Sequence, residues 1–242
     1  MSHPMDYFDR IFVINLPSRT DRQVEMAAQL KSIGLSLAEG HVELFPAVRP
    51  DAAEGFPSIG ARGCFMSHLA VLQTAQRMGL QRVAIFEDDL DFVADFNERI
   101  RPLLAQLARV DWSVFYGGYH VEAPLCDLVQ GELLEAQPDQ LIGTTHFVAF
   151  QGEAIAAAVR YLQAMLARPA GDPAGGPMHV DGAYNWFRRE TPQFKTVLAI
   201  PELGFQRASR TDIHDLRWYD TAPLIREGVA CLRLVKNALR RR

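Results

Sequence analysis

Val83-Ala84-Ile85-Phe86 runs directly into Glu87-Asp88-Asp89. Four apolar residues followed by three carboxylates read as a buried strand that delivers negative charge to the rim of a sheet. In open α/β folds that rim is where ligands bind. Three adjacent like charges repel one another, and a divalent cation with a taste for oxygen ligands, Mg²⁺ or Mn²⁺, relieves that repulsion. An acidic turn leading into the next helix is the plainer reading of the same seven residues.

The rest of the chain supplies the sheet. Ile11–Leu16, Val42–Val48, Trp112–Tyr116, Thr144–Phe150 and Lys195–Ile200 are short apolar runs rich in β-branched and aromatic residues, hence strands. Between them, helical spacing predicts helices over 20–33, 62–78, 96–108, 153–167 and 181–189. Thr20 or Ser18 is expected to cap the first of these, with Gly34 closing it, and Asp95 to cap the third. Residues 49–61 and 170–177, rich in Gly and Pro, read as flexible loops, and Gly117-Gly118 as the end of a strand. One or two strands are expected within 126–150. Strands alternating with helices argue an α/β fold with a mostly parallel central sheet flanked by helices. No long linker or internal repeat interrupts the 242 residues. The expected organisation is a single domain over 1–218 followed by a basic amphipathic helix over 219–242.

Composition excludes some functions. A hydrophobic content of 48% supports a real core, and a formal net charge of −4 does not suit nucleic-acid binding. Cys64, Cys126 and Cys231 are widely spaced and form no C-x-x-C pair, a reduced, cytosolic pattern. No basic-then-apolar start of a signal peptide is visible, and no run reaches the roughly 18 apolar residues of a membrane span. A cytoplasmic protein is expected. Val229–Arg242 holds five basic residues and no acidic ones. The apolar face Ile225, Val229, Leu232, Val235 and Leu239 suits packing on the domain or, through residues 225–242, peripheral contact with an anionic membrane surface.

The turn after the first strand, Pro17-Ser18-Arg19-Thr20-Asp21-Arg22, has neither the glycines of a dinucleotide-binding turn nor a P-loop. It offers two guanidiniums, suited to phosphates through paired hydrogen bonds. Arginines at one strand end and carboxylates at another are what a nucleotide-sugar–metal complex requires.

Here the residues carry a resemblance. Val13-Ile14-Asn15-Leu16 with Arg19-Thr20-Asp21-Arg22, Gly60–Leu69 (containing Gly63-Cys64-Phe65-Met66-Ser67-His68), Ile85–Asp89, and Gln206-Arg207-Ala208-Ser209-Arg210-Thr211-Asp212-Ile213 resemble, in order, four blocks of glycosyltransferase family 25, the bacterial lipooligosaccharide galactosyltransferases and their collagen-modifying relatives. Thr211 replaces the usual Ser of the closing block, and the stretch from about 119 to 180, where an acceptor would bind, is short. The resemblance implies a GT-A-type fold and inverting, metal-dependent transfer from a UDP-sugar, galactose favoured, to a glycan or glycolipid acceptor such as lipopolysaccharide.

Site expectations follow. Strand alternation keeps all three acids from touching one ion, so Asp89 is expected as the direct metal ligand with Glu87 on its side, while Asp88 faces ribose or sugar hydroxyls. Asp212 and His214, two apart, are candidate further ligands from the C-terminal loop. Asn15 is expected on the uracil, and Arg19 and Arg22 on phosphate. Ser67 and His68 are expected in a donor-binding or structural role. Cys64 and His68 are four apart and could face one way, but want of further ligands argues against a metal there. Asp181, after a Gly/Pro-rich loop at a helix start, is the expected catalytic base and also suits a helix cap. Two other readings stand beside this one. Asp89-Leu90-Asp91-Phe92-Val93 formally fits a haloacid dehalogenase-type phosphatase, and a non-catalytic nucleotide-sugar-binding module would need the same scaffold.

Overall fold

The computed structural model describes residues 3–37, 40–121 and 132–207. Among these, strands β1 (Arg10–Asn15), β2 (Val42–Pro46), β3 (Arg82–Glu87), β5 (Val114–His120), β6 (Glu132–Ala136), β7 (Gly143–Gln151) and β8 (Thr196–Ile200) form one sheet in the order β2-β1-β3-β7-β5-β8-β6. β2, β1, β3, β5 and β8 run one way, while β7 and the edge strand β6 oppose them. This is the mixed, mostly parallel sheet expected. A second, two-stranded ribbon pairs β4 (Leu90–Phe92) with β9 (Gly204–Gln206).

Alternation along the strands sorts the core into two layers. Phe12 and Ile14 of β1 and Val83 and Ile85 of β3 face α2 (Ile59–Arg77), α4 (Glu153–Leu166) and α5 (Val180–Glu190). Ile11, Val13, Ala84 and Phe86 face α1 (Thr20–Ser32) and α3 (Phe96–Leu107). By the same alternation Glu87 continues the α2 side and Asp88 the α1 side. Fully buried Phe86 meets Phe147 edge to face at 4.6 Å, fixing the strand just before the acids.

Several local expectations needed correction. α1 starts where expected, but Arg19 occupies the cap position and no side chain caps the helix; Arg19 instead pairs with Asp21 in the first turn at 2.8 Å. α2 begins three residues earlier than periodicity indicated, because Ser58 caps it by accepting a hydrogen bond from the Ala61 N–H at 3.0 Å. Gly117-Gly118 does not end the strand. β5 runs through both, and a Cβ on Gly117 would sit 2.5 Å from the Phe147 ring and one on Gly118 2.3 Å from His146 Nε2. The glycines let β7 and the β4–β9 ribbon close on β5, with register shifts at that point. Residues 170–177 form neither helix nor strand, as expected of a Gly/Pro-rich stretch. The basic segment 219–242 lies outside the described residues.

Candidate active site

The C-terminal ends of β1 and β3 and the start of α2 border a cleft of about 270 Å³. Arg19, Arg22, Cys64, Ser67, Glu87, Asp88 and Asp89 all line it. The first three blocks singled out in the sequence therefore converge on one place, although they are separated along the chain.

Each acid has a distinct environment. Glu87, at the end of β3, accepts a hydrogen bond from the Thr145 hydroxyl at 2.5 Å, and its Oε1 lies 3.5 Å from His68 Nε2. Burial pushes its carboxyl up, but His68 and the Thr145 hydroxyl outweigh this and hold it below its ordinary value. Asp88, on the other side, accepts hydrogen bonds from Arg22 at 2.7 Å and from the Asn15 amide at 2.8 Å. Burial still raises it, against the pull of Arg22. Asp89 accepts a hydrogen bond from Gln206 Nε2 at 3.2 Å, and Arg22 is 3.8 Å away. Its other oxygen, Oδ1, is buried and has no hydrogen-bond partner among the described residues. Burial, then the charge of Glu87, push this carboxyl up to about 7. A buried carboxylate with an orphaned oxygen, crowded by like charge, is what a bound divalent cation would relieve, so these residues fit the metal that the acidic triplet suggested.

Asn15 and Arg22 hold Asp88, so part of their capacity is internal. The Asn15 amide also donates to the Arg19 carbonyl at 3.2 Å. Ser67 is fully buried and does a structural job: it accepts from the Val48 N–H at 2.8 Å and donates to the Gly63 carbonyl at 2.6 Å. His68 is also fully buried, its Nδ1 hydrogen-bonded to the Tyr184 hydroxyl at 3.1 Å. Asp181 is the second residue of α5; His179 precedes the helix as its cap residue, without a capping side-chain hydrogen bond. Both Asp181 oxygens accept backbone N–H groups, from Thr144 at 3.2 Å and Gly182 at 2.7 Å, which fixes the carboxylate's orientation. Burial and then the charges of Glu87, Asp89, Asp181 and Asp88 raise the Cys64 thiol well above its ordinary value, so Cys64 senses the acidic triplet and Asp181 together. Asp212 and His214 lie outside the described residues.

Sequence reasoning passed over Thr145, Tyr184 and Gln206 as site residues. Gln206 had a signal, since it opens the closing block. Thr145 and Tyr184 reach the site only through tertiary contact. Asp91, the second acid of the phosphatase pattern, is fully buried and accepts two hydrogen bonds from Arg207, at 2.8 and 2.6 Å, which leaves it no access to a phosphate ester.

Residues 8–120 match the model of a family described as Glycosyltransferase family 25 (LPS biosynthesis protein). Three of the four blocks fall inside that segment. Procollagen galactosyltransferase 1-A of Xenopus laevis is 31% identical over 130 residues, covering 46% of this chain and 21% of the frog protein. Inactive glycosyltransferase 25 family member 3 of Homo sapiens is 29% identical over 129 residues, covering 46% of this chain and 22% of the human protein. The chain thus spans about a fifth of the length of these relatives. Among solved structures, a glycosyltransferase involved in glycosylation of the major capsid of PBCV-1 superposes with a TM-score of 0.42 at 11% identity, covering 83% of this chain and 93% of the other.

Proposed function

We propose that this chain, whose residues 8–120 match glycosyltransferase family 25, is an inverting glycosyltransferase. It takes the sugar of a UDP-sugar, galactose favoured, and delivers it to a glycan acceptor such as lipopolysaccharide or lipooligosaccharide. The observation that carries the reading is Asp89: a buried carboxylate with one orphaned oxygen, in a cleft that two arginines also line. Asp89 and Glu87 would hold Mn²⁺ or Mg²⁺, with Asp212 and His214 as further candidates from the closing block. A divalent cation there supplies Lewis-acid stabilisation of the charge on a departing diphosphate. Arg19 lines the cleft wall, where a phosphate would compete with Asp21 for its guanidinium. Arg22 and Asn15 keep Asp88 in place for ribose or sugar hydroxyls. Asp181 is the base: the acceptor oxygen bonds to the sugar's anomeric carbon as the bond to UDP breaks, and the acceptor's hydroxyl proton passes to the Asp181 carboxylate.

The setting proposed is the cytoplasm, with residues 225–242 touching an anionic membrane surface where glycolipid acceptors reside. Among the described residues no helix is long and apolar enough to cross a membrane. The second reading, a nucleotide-sugar-binding module without turnover, draws support from the human relative whose name declares it inactive.

Thermal-shift measurements across UDP-sugars, with and without Mn²⁺, followed by hydrolysis and transfer assays, separate these readings. Mn²⁺-dependent stabilisation by one UDP-sugar together with turnover, both lost in Asp89→Asn, is the expected result. Stabilisation without turnover on any acceptor selects the binding module. Mn²⁺-independent turnover, or no response to any UDP-sugar, rejects the assignment.

A further inference from the structure

On the α2 side of the cleft, away from Asp88 and Arg22, three ligand-type side chains of different chemistry meet. Cys64 and His68 stand one turn apart on α2, and Glu87 ends β3; one potential ligand atom from each lies within 4.8 Å of the other two. The sequence had offered only the first two, and the fold supplies the third.

The spacing of His68 and Glu87 suits two ligands of one ion. His68 Nε2 and Glu87 Oε1 are 3.5 Å apart. Two ligands each about 2.0–2.1 Å from a tetrahedral ion stand roughly 3.4 Å apart, so a cation between them needs almost no movement of either. His68 is fully buried, and its Nε2 faces the Glu87 carboxylate without a well-formed hydrogen bond. Its Nδ1 is bonded to the Tyr184 hydroxyl at 3.1 Å; in the tautomer with the proton on Nδ1, that bond orients the ring and leaves Nε2 for an ion, as in metal-ligating imidazoles. Glu87 is likewise steadied by Thr145. Cys64 and Glu87 line the cleft, so the cluster borders it.

We propose that Cys64, His68 and Glu87 form a zinc site beside the Mn²⁺ or Mg²⁺ position of Asp89, with Glu87 the residue that the two positions share. Thiolate and imidazole favour Zn²⁺, whereas oxygen-only ligation favours the harder ions. Binding transfers no electrons: the Cys64 thiol gives its proton to solvent as sulfur ligates the metal. Three protein ligands and one open position leave room for water or for an incoming ligand group. The site stands whether or not the chain transfers sugar, because none of its evidence involves a donor.

Cobalt(II) titration of the full, metal-stripped chain tests it. One equivalent is expected to produce a near-ultraviolet sulfur-to-cobalt charge-transfer band that Zn²⁺ then abolishes. Cys64→Ser and His68→Gln should lose the band and bind Zn²⁺ at least about tenfold more weakly in chelator competition. Asp89→Asn should keep both, although it removes the proposed Mn²⁺ response, so failure of the zinc site and failure of the transferase reading give different patterns. Far-ultraviolet circular dichroism checks that the variants fold, and Cys64→Ser alone suffices if His68→Gln does not. Absence of the band in the parent chain, or its persistence in Cys64→Ser through Cys126 or Cys231, overturns the proposal.

Discussion

At the scale of single residues, Asp89 shows what it costs the fold to bury a carboxyl among like charges. Its carboxyl is raised from an ordinary value of 3.8 to about 7, first by burial and then by Glu87. In the folded, metal-free chain it therefore keeps a proton that the unfolded chain has already lost between about pH 4 and pH 7. The unfolded state binds fewer protons across that window, so this residue's contribution to stability falls as pH rises through it. A tenfold difference in proton affinity between the folded and unfolded chains corresponds to about 1.4 kcal/mol. Relaxation around a crowded carboxylate reduces the total, and an effect of about 2 kcal/mol is expected. Asp89→Asn removes the penalty without changing shape. Denaturant titrations in EDTA should then show the variant gaining about 2 kcal/mol on the parent between pH 5 and pH 8 while losing its Mn²⁺ response. A stability difference that is the same at both pH values would show that Asp89 does not titrate in this range.

Elements are positioned by close approach as much as by periodicity. Gly118 is the sharpest case, because an added Cβ would lie 2.3 Å from His146 Nε2 and 2.8 Å from the Gly204 carbonyl oxygen. Gly118→Ala must push β5 away from β7 and β9, and should cost about 1–3 kcal/mol in urea unfolding. Ser58→Ala, which removes the α2 cap, should cost about 1 kcal/mol by the same measurement. These two positions also explain what the sequence left unread. β1 and β3 were legible because β-branched residues in a buried strand need no distant information. The acids were legible because charge directly after an apolar run is a local pattern. Ser58 was hidden inside a Gly/Pro-rich stretch whose composition reads as loop. Gly117 and Gly118 carry the same letters whether a chain turns or packs tightly, and only the position of Phe147 and His146 decides between them. β4 and β9 are three residues each, too short for any period, and exist through the pairing of Leu90 with Gln206. Thr145 and Tyr184 belong to the site by tertiary contact alone. The Cys64–His68 pair was visible as a one-turn spacing, yet its third partner, Glu87, was not.

On the scale of the whole molecule, the family match and the folding unit are different objects. Residues 8–120 contain β1, β2, β3 and β5, but β3 and β5 are not neighbours. β7, from beyond residue 142, lies between them and pairs with both. Without it, both strands expose hydrogen-bonding edges, and Phe86 and Phe115 lose the Phe147 ring that joins them. The ribbon closes the same loop from further away. Arg207 donates its backbone N–H to the Asp89 carbonyl at 2.7 Å and its guanidinium to Asp91 and Glu25, tying the end of the described chain to α1 and to the acidic turn. The site is assembled on this scale, since Glu87 needs Thr145, His68 needs Tyr184, and Asp89 needs Gln206. A fragment comprising residues 1–121 holds the whole family segment and should nonetheless fail to fold. It is expected to show no cooperative thermal transition, to bind a hydrophobic dye, and to give no Mn²⁺-dependent response to UDP-sugars, whereas the full chain melts in one step. A cooperative melt of that fragment would mean that β3 and β5 can close a sheet without β7, and that the dependence of the acids on the second half of the chain is far weaker than the hydrogen bonds to Thr145 and Gln206 imply.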